Sequence, residues 1–419
     1  MRYLKRAPRP LNEHDPEIAK RVTDLLGRLE SEGEQAAAAL ALEFDGWAEA
    51  IPIDDQVCEA ASAQLDRQLM KDIDHAHGHI RAFAEAQLAS VTDFELEIEP
   101  GLVTGQRTVP VDVAGCYVPA GRYAHIASAL MSVTTASVAG VSDIVVASPA
   151  RPDRGGVHPA IIHAAKLAGA HHILGLGGVQ AIGSLAYGLF TGLEADVIVG
   201  PGNSYVAEAK RQLFGRVGID VIAGPTESMI AADASADAHT VATDLIGQAE
   251  HGPDSPVWLV STSEGLATEV ESIIAGVAEA LPDPARASAT AAWRDHGEII
   301  IADSREEAAS ICDAYAPEHL QVMADDLDWW LDRLRNYGSL FLGEQTTVTF
   351  GDKTSGPNHI LPTGRAARYS GGLNALRFTK QLTWQRLTDE AGRREAPFAA
   401  RISRYQGMEG HARSAEVRA

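Results

Sequence analysis

Four short runs rich in valine and isoleucine recur between residues 143 and 224, and stretches with helical spacing separate them. They are Asp143-Ile-Val-Val-Ala-Ser, His172-Ile-Leu-Gly-Leu, Asp196-Val-Ile-Val-Gly and Asp220-Val-Ile-Ala-Gly; helices are predicted from Pro159 to Ala168 and from Tyr205 to Leu213. This strand-helix rhythm commits the middle of the chain to a parallel sheet covered by helices. Three later runs, Pro256-Val-Trp-Leu-Val, Glu298-Ile-Ile-Ile-Ala and Ser339-Leu-Phe-Leu-Gly, predict a second α/β unit. A chain of 419 residues is long enough for two cores.

The flanks read differently. Residues 1 to about 100 are charged and helical, with apolar positions at helical spacing from Ile18 and again from Leu65 to Leu88. Residues 94–109 alternate around Pro100-Gly101 and predict a β-hairpin. The tail from about Trp384 is polar and charged, with helical pieces.

Several predicted strands end in glycine-rich turns: Gly175-Leu-Gly-Gly178, Gly200-Pro-Gly-Asn203 and Gly224-Pro-Thr226. Glycine at the carboxyl end of a parallel strand lets the backbone approach a phosphate closely. The same residues also make tight turns with no ligand, and no clean G-x-G-x-x-G pattern occurs, so these turns alone do not establish a dinucleotide site.

Bulk properties exclude other classes. The net charge of -22 argues against nucleic acid and against anionic membranes as partners. The uncharged run Ile126 to Val141 is rich in Ala, Ser and Thr and predicts a buried helix rather than a membrane span. The N-terminus lacks the apolar segment of a signal peptide, and the sparse cysteines Cys58, Cys116 and Cys312 fit a reducing compartment, so the expected location is cytoplasmic.

The chemistry concentrates between Gln248 and His411. Gln248 and His251 stand three apart at the end of a predicted helix, on one face, where they could share a metal or simply cap the helix before Gly252-Pro253. Glu318-His319 opens a predicted strand and offers a carboxylate beside an imidazole for proton transfer, or a solvent-facing pair. Asp352 and His359 belong to a loop rich in Gly, Ser, Pro and Asn, and His411 is a lone histidine in the tail. Together these supply oxygen and imidazole donors of the kind zinc accepts.

Eight ordered segments resemble the histidinol dehydrogenase family over nearly the whole chain. They are Tyr117-Val-Pro-Ala-Gly121, Gly177-Gly-Val-Gln180-Ala-Ile, Gly200-Pro-Gly-Asn203, Ala209-Lys-Arg-Gln212, Ala223-Gly-Pro-Thr226-Glu, Gln248-Ala-Glu-His-Gly-Pro-Asp254-Ser, Pro317-Glu-His-Leu320 and Ser355-Gly-Pro-Asn-His359. The resemblance implies a zinc-dependent, NAD-linked homodimer that oxidises an alcohol to a carboxylate in two steps. It places the zinc ligands at Gln248, His251, Asp352 and His411, the last from the partner subunit. It makes Glu318 and His319 the catalytic pair. NAD contacts fall on Tyr117, Gln180 and Asn203, and substrate contacts on Thr226, His319, His359 and, from the partner's tail, Gln406.

The expected fold is α/β: two α/β domains with Rossmann-like parallel sheets and small N- and C-terminal helical extensions. Residues 1–21 would be the N-terminal extension. Residues 22–116 and 227–372 would form a discontinuous domain with the metal and catalytic residues, 117–226 the NAD-binding domain, and 373–419 a tail reaching the partner.

The chain departs from the family at the substrate end. Gln406 stands where the family carries an amine-recognising carboxylate, and Lys353 follows Asp352 where biosynthetic members usually have an aromatic residue. Arg365 and Arg368 lie just downstream. A lost negative charge and gained positive ones favour a small anionic alcohol over histidinol. The segments Gly351 to Thr363 and Ala367 to Leu373 resemble the family's sulfopropanediol 3-dehydrogenase branch, which oxidises 2,3-dihydroxypropane-1-sulfonate to sulfolactate. Histidinol oxidation is the alternative. A catalytically silent metal-binding or interaction protein is a third, which the intact Glu318-His319 pair argues against.

Overall fold

The computed structural model describes residues 1–8, 15–121, 123–222 and 224–419. Residues 9–14 of the expected N-terminal extension, and Ala223 in the run expected to form a strand at 220–224, lie outside the described residues.

The chain begins with a strand, β1 (Arg2–Lys5), followed by helices α1 (Pro16–Glu32), α2 (Glu34–Asp45), α3 (Asp55–Ala63) and α4 (Arg67–Ala89). Aspartates start three of these helices. Asp15, Asp54 and Asp66 accept hydrogen bonds from the backbone N–H groups of Glu17, Val57 and Gln68, donors that a helix start otherwise leaves unpaired. The predicted hairpin forms from β2 (Phe94–Glu99) and β3 (Leu102–Pro110), turning at Gly101 with φ 81°, a left-handed conformation natural to glycine.

The first large sheet contains β4 (Val113–Tyr117), β5 (Asp143–Ala147), β6 (His172–Leu174), β7 (Val197–Val199) and β8 (Gly218–Ile219), all parallel, in the order β6-β5-β4-β7-β8. Helices α5 (Ile126–Ala139), α6 (Pro159–Ala168), α7 (Gly178–Tyr187) and α8 (Ser204–Leu213) make the crossovers. The chain steps outward from β4 to β6 and then resumes on the other side of β4 at β7. This reversal opens a crevice beyond the carboxyl ends of β4 and β7, where open α/β sheets bind ligands.

The second sheet has the order β1-β11-β10-β9-β12-β13. Strands β9 (Ser228–Ala232), β10 (Val257–Ser261), β11 (Glu298–Ile301), β12 (His319–Met323) and β13 (Ser339–Leu342) are parallel, and β1 adds an antiparallel edge. Its helices are α9 (Ala238–Ala249), α10 (Glu264–Glu279), α11 (Ala285–His296), α12 (Arg305–Tyr315), α13 (Leu327–Arg333) and α14 (Val348–Lys353). Beyond it, β14 (Thr379–Leu387) pairs with β3 to make a small three-stranded sheet, and α15 (Asp389–Tyr405) and α16 (Glu409–Glu416) end the chain.

The N-terminal helices pack on both faces of the first sheet. Val22, Leu26, Leu29 and Leu40 pack on one face of the first sheet, and Cys58, Ile73 and Ile80 on the other. Helices α1 to α4 thus share cores with the sheet at 113–219, and Ile360 of the later segment joins the core that holds Cys58, Ile73 and Ile80. The expected strand at 220–224 is displaced. Pairing covers Gly218–Ile219, and the Asp220 side chain is drawn instead to the backbone N–H of Gly200 at 2.7 Å and to Lys210. In the tail, β14 replaces part of what was read as helical.

Candidate active site

The expected catalytic pair, Glu318 and His319, sits at an unusual edge. His319 opens β12 and lies opposite Ser228 of β9 and Ser339 of β13, so it stands at the amino edge of the second sheet. α9 runs back from the carboxyl end of β9 and delivers Gln248 and His251 to that same edge. Asp352 comes from the short α14. The strands, the helix and this turn thus bring Gln248, His251, Glu318, His319 and Asp352 into one buried region, as their spacing in the sequence could not show.

The geometry fixes the state of His319. Its Nδ1 lies 3.1 Å from the carbonyl oxygen of Glu227, which can only accept, so Nδ1–H donates and Nε2 carries the lone pair in the neutral ring. Nε2 is 3.5 Å from Asp352 Oδ1 and is buried with no hydrogen-bond partner. Glu318 Oε2 is 3.6 Å from His319 Nδ1 and accepts the N–H of Glu227 at 2.9 Å. Burial pushes the Glu318 carboxyl up to about 8. For His319, burial opposes the charged ring, but the carboxylates of Glu318 and Asp352 outweigh it and raise the imidazole to about 9. Burial also works against an ionised Asp352, yet His319, His359 and Lys353 hold it well below the usual carboxylate range.

The remaining donors follow the same logic. The Gln248 side chain is 3% exposed and its Oε1 has no hydrogen-bond partner. Burial lowers the pKa of His251, with Lys353 and His319 adding to the effect, which favours the neutral ring. His359 donates from Nδ1 to the carbonyl of Asp352 at 3.0 Å, and its Nε2 accepts from Ser128 Oγ at 2.8 Å. Burial brings it down to about 4. Both of its ring nitrogens are engaged, so a substrate contact there requires Ser128 to give way.

The expected cofactor residues share a different edge. Tyr117 ends β4 and its hydroxyl accepts the N–H of Gly178 at 3.3 Å. Gln180, in the first turn of α7, donates to Asp45 at 3.0 Å, and Asp45 also accepts the N–H of Gly177 at 3.1 Å. Asn203 caps α8 through the N–H groups of Tyr205 and Val206. All three border the crevice at the carboxyl ends of β4, β6 and β7.

Other expected residues stand apart. Lys353 is exposed at the end of α14, yet its charge reaches His251, His359 and Asp352. Thr226 is half-buried just before β9. Arg365, with φ 63°, and Arg368 are exposed on the following turns. Gln406 and His411 are exposed on the C-terminal helices, outside the cluster. Among the described residues, one chain assembles no group of three or more His, Cys, Asp and Glu side chains able to hold a metal.

Known proteins resemble the chain over nearly its whole length. A family model described as histidinol dehydrogenase matches residues 8–419. The chain belongs to the histidinol dehydrogenase family. A sulfopropanediol 3-dehydrogenase of Ruegeria pomeroyi is 53% identical over 416 residues, covering 99% of this chain and 95% of the relative. A histidinol dehydrogenase homolog of the same organism is 55% identical over 415 residues, covering 99% and 96%. The crystal structure of histidinol dehydrogenase from Elizabethkingia anophelis superposes with a TM-score of 0.91 at 30% identity, covering 98% of this chain and 94% of that one. The fold is that of the family, with parallel Rossmann-like sheets, and the chain is an NAD-dependent oxidoreductase. No helix among the described residues is long and apolar enough to cross a membrane.

Residue-by-residue reading of the sequence overlooked His125. It precedes α5, one turn before Ser128, and makes no side-chain capping bond. Burial and the charges of His251 and Lys353 hold it near 4. Its only sequence signal is its position just after the Tyr117-to-Gly121 segment. Asp45 was missed too, being far from every motif in sequence.

Proposed function

We propose that this chain is a zinc-dependent, NAD-linked dehydrogenase that oxidises a small anionic alcohol, 2,3-dihydroxypropane-1-sulfonate, through the aldehyde to the carboxylate. The observation that carries the reaction is His319: a buried imidazole fixed by the Glu227 carbonyl so that Nε2 faces the Asp352 cluster with nothing bonded to it. That nitrogen is placed to take the hydroxyl proton as the adjacent carbon gives up its hydride.

The donor set fits a metal. Gln248 leaves a buried carbonyl oxygen unsatisfied, His251 is held neutral and Asp352 is held ionised, which are the states ligands need. On this reading Gln248, His251 and Asp352 hold zinc together with His411 of the partner subunit. When bound, zinc would orient the substrate and polarise its oxygen. A cation on Asp352 would take up one of the two carboxylate charges that favour the imidazolium, and would so shift His319 toward the neutral, basic ring.

Tyr117, Gln180 and Asn203 would line the NAD crevice, and NAD accepts one hydride in each oxidation. Glu318 lies in the same pocket; a cation bound at Asp352 would favour its ionised form, which would take the proton of the water that adds to the aldehyde. The resulting hydrate anion would release its hydride in the second oxidation, for which a second NAD would serve as acceptor, and so yield the acid.

For the substrate, the support is the name borne by the 53%-identical relative, together with Lys353 and the neutral Gln406. Lys353 is the added cation whose charge reaches the cluster; Arg365 and Arg368 would border the entrance. The exposed apolar side chains of the tail, Phe398, Ile402, Tyr405 and Met408, support a homodimer, since such a face is a natural contact surface. The test is NADH formation by purified protein supplied with each alcohol. Turnover of dihydroxypropanesulfonate with little on histidinol is expected; robust turnover of histidinol alone refutes the substrate assignment.

A further inference from the structure

Asp244 lies on α9 four residues before Gln248, on the same face of the helix, and seven before His251, which follows the helix's last turn. Its Oδ2 accepts from Gln321 Nε2 at 2.9 Å, and its Oδ1 accepts from the Thr347 hydroxyl at 3.1 Å. Gln321 is two residues beyond His319 on β12, so both side chains leave the same face of the strand. Thr347 is the N-cap of α14, the turn that carries Asp352. Close by, Glu344 accepts the N–H of Asp237, the residue that caps α9. One carboxylate therefore ties together the helix of Gln248 and His251, the strand of His319 and the turn of Asp352.

We propose that Asp244 is a positioning residue for the metal centre: its two hydrogen bonds set the spacing of α9, β12 and α14, and so the geometry of Gln248, His251 and Asp352. This rests on the metal site proposed above. A carboxylate in this place is costly to desolvate, and both of its bonds run to elements bearing site residues. A residue serving stability alone has no need to span all three. Gln321 supplies a further handle: its Oε1 is buried with no partner, so a flipped amide could accept from an asparagine at 244 while Thr347 still donates.

The experiment measures zinc affinity by competition with a chromophoric chelator, together with the visible spectrum of the cobalt-substituted protein and the melting temperature of each metal-free variant. Removing a partner one step outside the ligands typically costs about 10- to 100-fold in metal affinity, so Asp244→Ala should lose that much and show an altered cobalt spectrum, whereas Asp244→Asn should stay within about threefold of wild type. Folded Asp244→Ala with wild-type affinity and spectrum overturns the proposal. So does equal loss in Asp244→Asn, because charge rather than hydrogen-bond geometry would then be at work. If Asp244→Ala does not fold, the double variant Gln321→Met/Thr347→Val carries the test, with about a tenfold loss expected and none overturning it. A wild-type protein that binds no zinc overturns the metal site itself, and this inference with it.

Discussion

Lys210 is the largest fully buried side chain, and the loop it anchors borders the proposed cofactor crevice. Its ammonium group donates to the carbonyls of Gly200 at 2.9 Å and Val221 at 3.0 Å, and to Asp220. Asp220 in turn accepts the N–H of Gly200 at 2.7 Å. The Lys210 and Asp220 side chains are 2% and 0% exposed. Gly200 has φ 122°, and a side chain there would collide with the Tyr117 carbonyl, so the loop is also pressed against β4. Replacing Lys210 with Met leaves Asp220 buried without its cation, which costs about 3–5 kcal/mol. At roughly 2.1 cal/mol/K per residue, a unit of about 200 residues has an unfolding entropy near 0.4 kcal/mol/K, so the melting temperature should fall by about 7–12 °C. The fall should be about half as large if the whole chain unfolds together.

The assay is thermal unfolding of metal-free protein with and without NAD, alongside steady-state kinetics. Loosening Gly200 should also raise KM for NAD by about tenfold, the equivalent of about 1.4 kcal/mol of lost binding. The double variant Lys210→Met/Asp220→Asn should recover much of the stability, because it removes the stranded charge. A Lys210→Met protein melting within about 1 °C of wild type would refute the assignment of a stability-bearing buried pair.

Three further outcomes are expected. Lys353→Ala should raise KM for an anionic alcohol by about tenfold with KM for NAD unchanged; equal kinetics would place Lys353 in solvent, away from the substrate. Phe398→Glu combined with Ile402→Glu should shift the protein from dimer to monomer by light scattering and remove activity, because both residues are exposed on the tail helix; a dimer that persists in this variant would contradict the tail's role in assembly. Glu318→Gln addresses pH: the folded carboxyl titrates near 8 against an ordinary 4.5, so the folded state binds that proton more tightly and stability falls as pH rises across this window. Metal-free Glu318→Gln should match wild type near the bottom of the window and become the more stable protein above it, whereas parallel melting curves across pH would count against a buried neutral acid.

Several strands buried on both faces were legible, though the equally buried β4 and β9 were not named. Runs such as Ile144-Val-Val and Ile299-Ile-Ile have no polar side to hide, and their composition declares them. β14 was not legible because its residues are mostly exposed and its polar and apolar side chains mix. The packing of residues 22–89 on the first sheet was not legible for a different reason: an amphipathic helix shows which stripe it buries but not which sheet receives it. In the site, helical spacing linked Gln248 to His251, and only the resemblance joined them to Asp352 and His411. Asp45 and Asp244 had no signal, since a carboxylate that bonds to distant elements looks like any surface acid until the chain is folded.

The two functional edges are opposite in kind, and the connection between the sheets explains why they meet. The proposed cofactor residues lie at the carboxyl edge of the first sheet, and the proposed catalytic pair lies at the amino edge of the second. The chain leaves β8 at Ile219 and enters β9 at Ser228, so a short segment joins a carboxyl edge directly to an amino edge. The loop after α14 then fastens the junction. Thr363 accepts the N–H of Gly224 and Gly364 donates to Glu227, while Asn358 and His359 bond to Met131 and Ser128 of α5 in the other unit. His359 is thus a strut across the junction, and Glu227 holds the Glu318 and His319 side chains through its own backbone. Hydride transfer needs carbon and cofactor at a fixed separation. A junction cross-linked at the site itself meets that need without a closing hinge, and what a single chain still lacks is the fourth metal ligand, which on the proposed reading arrives with the partner's tail.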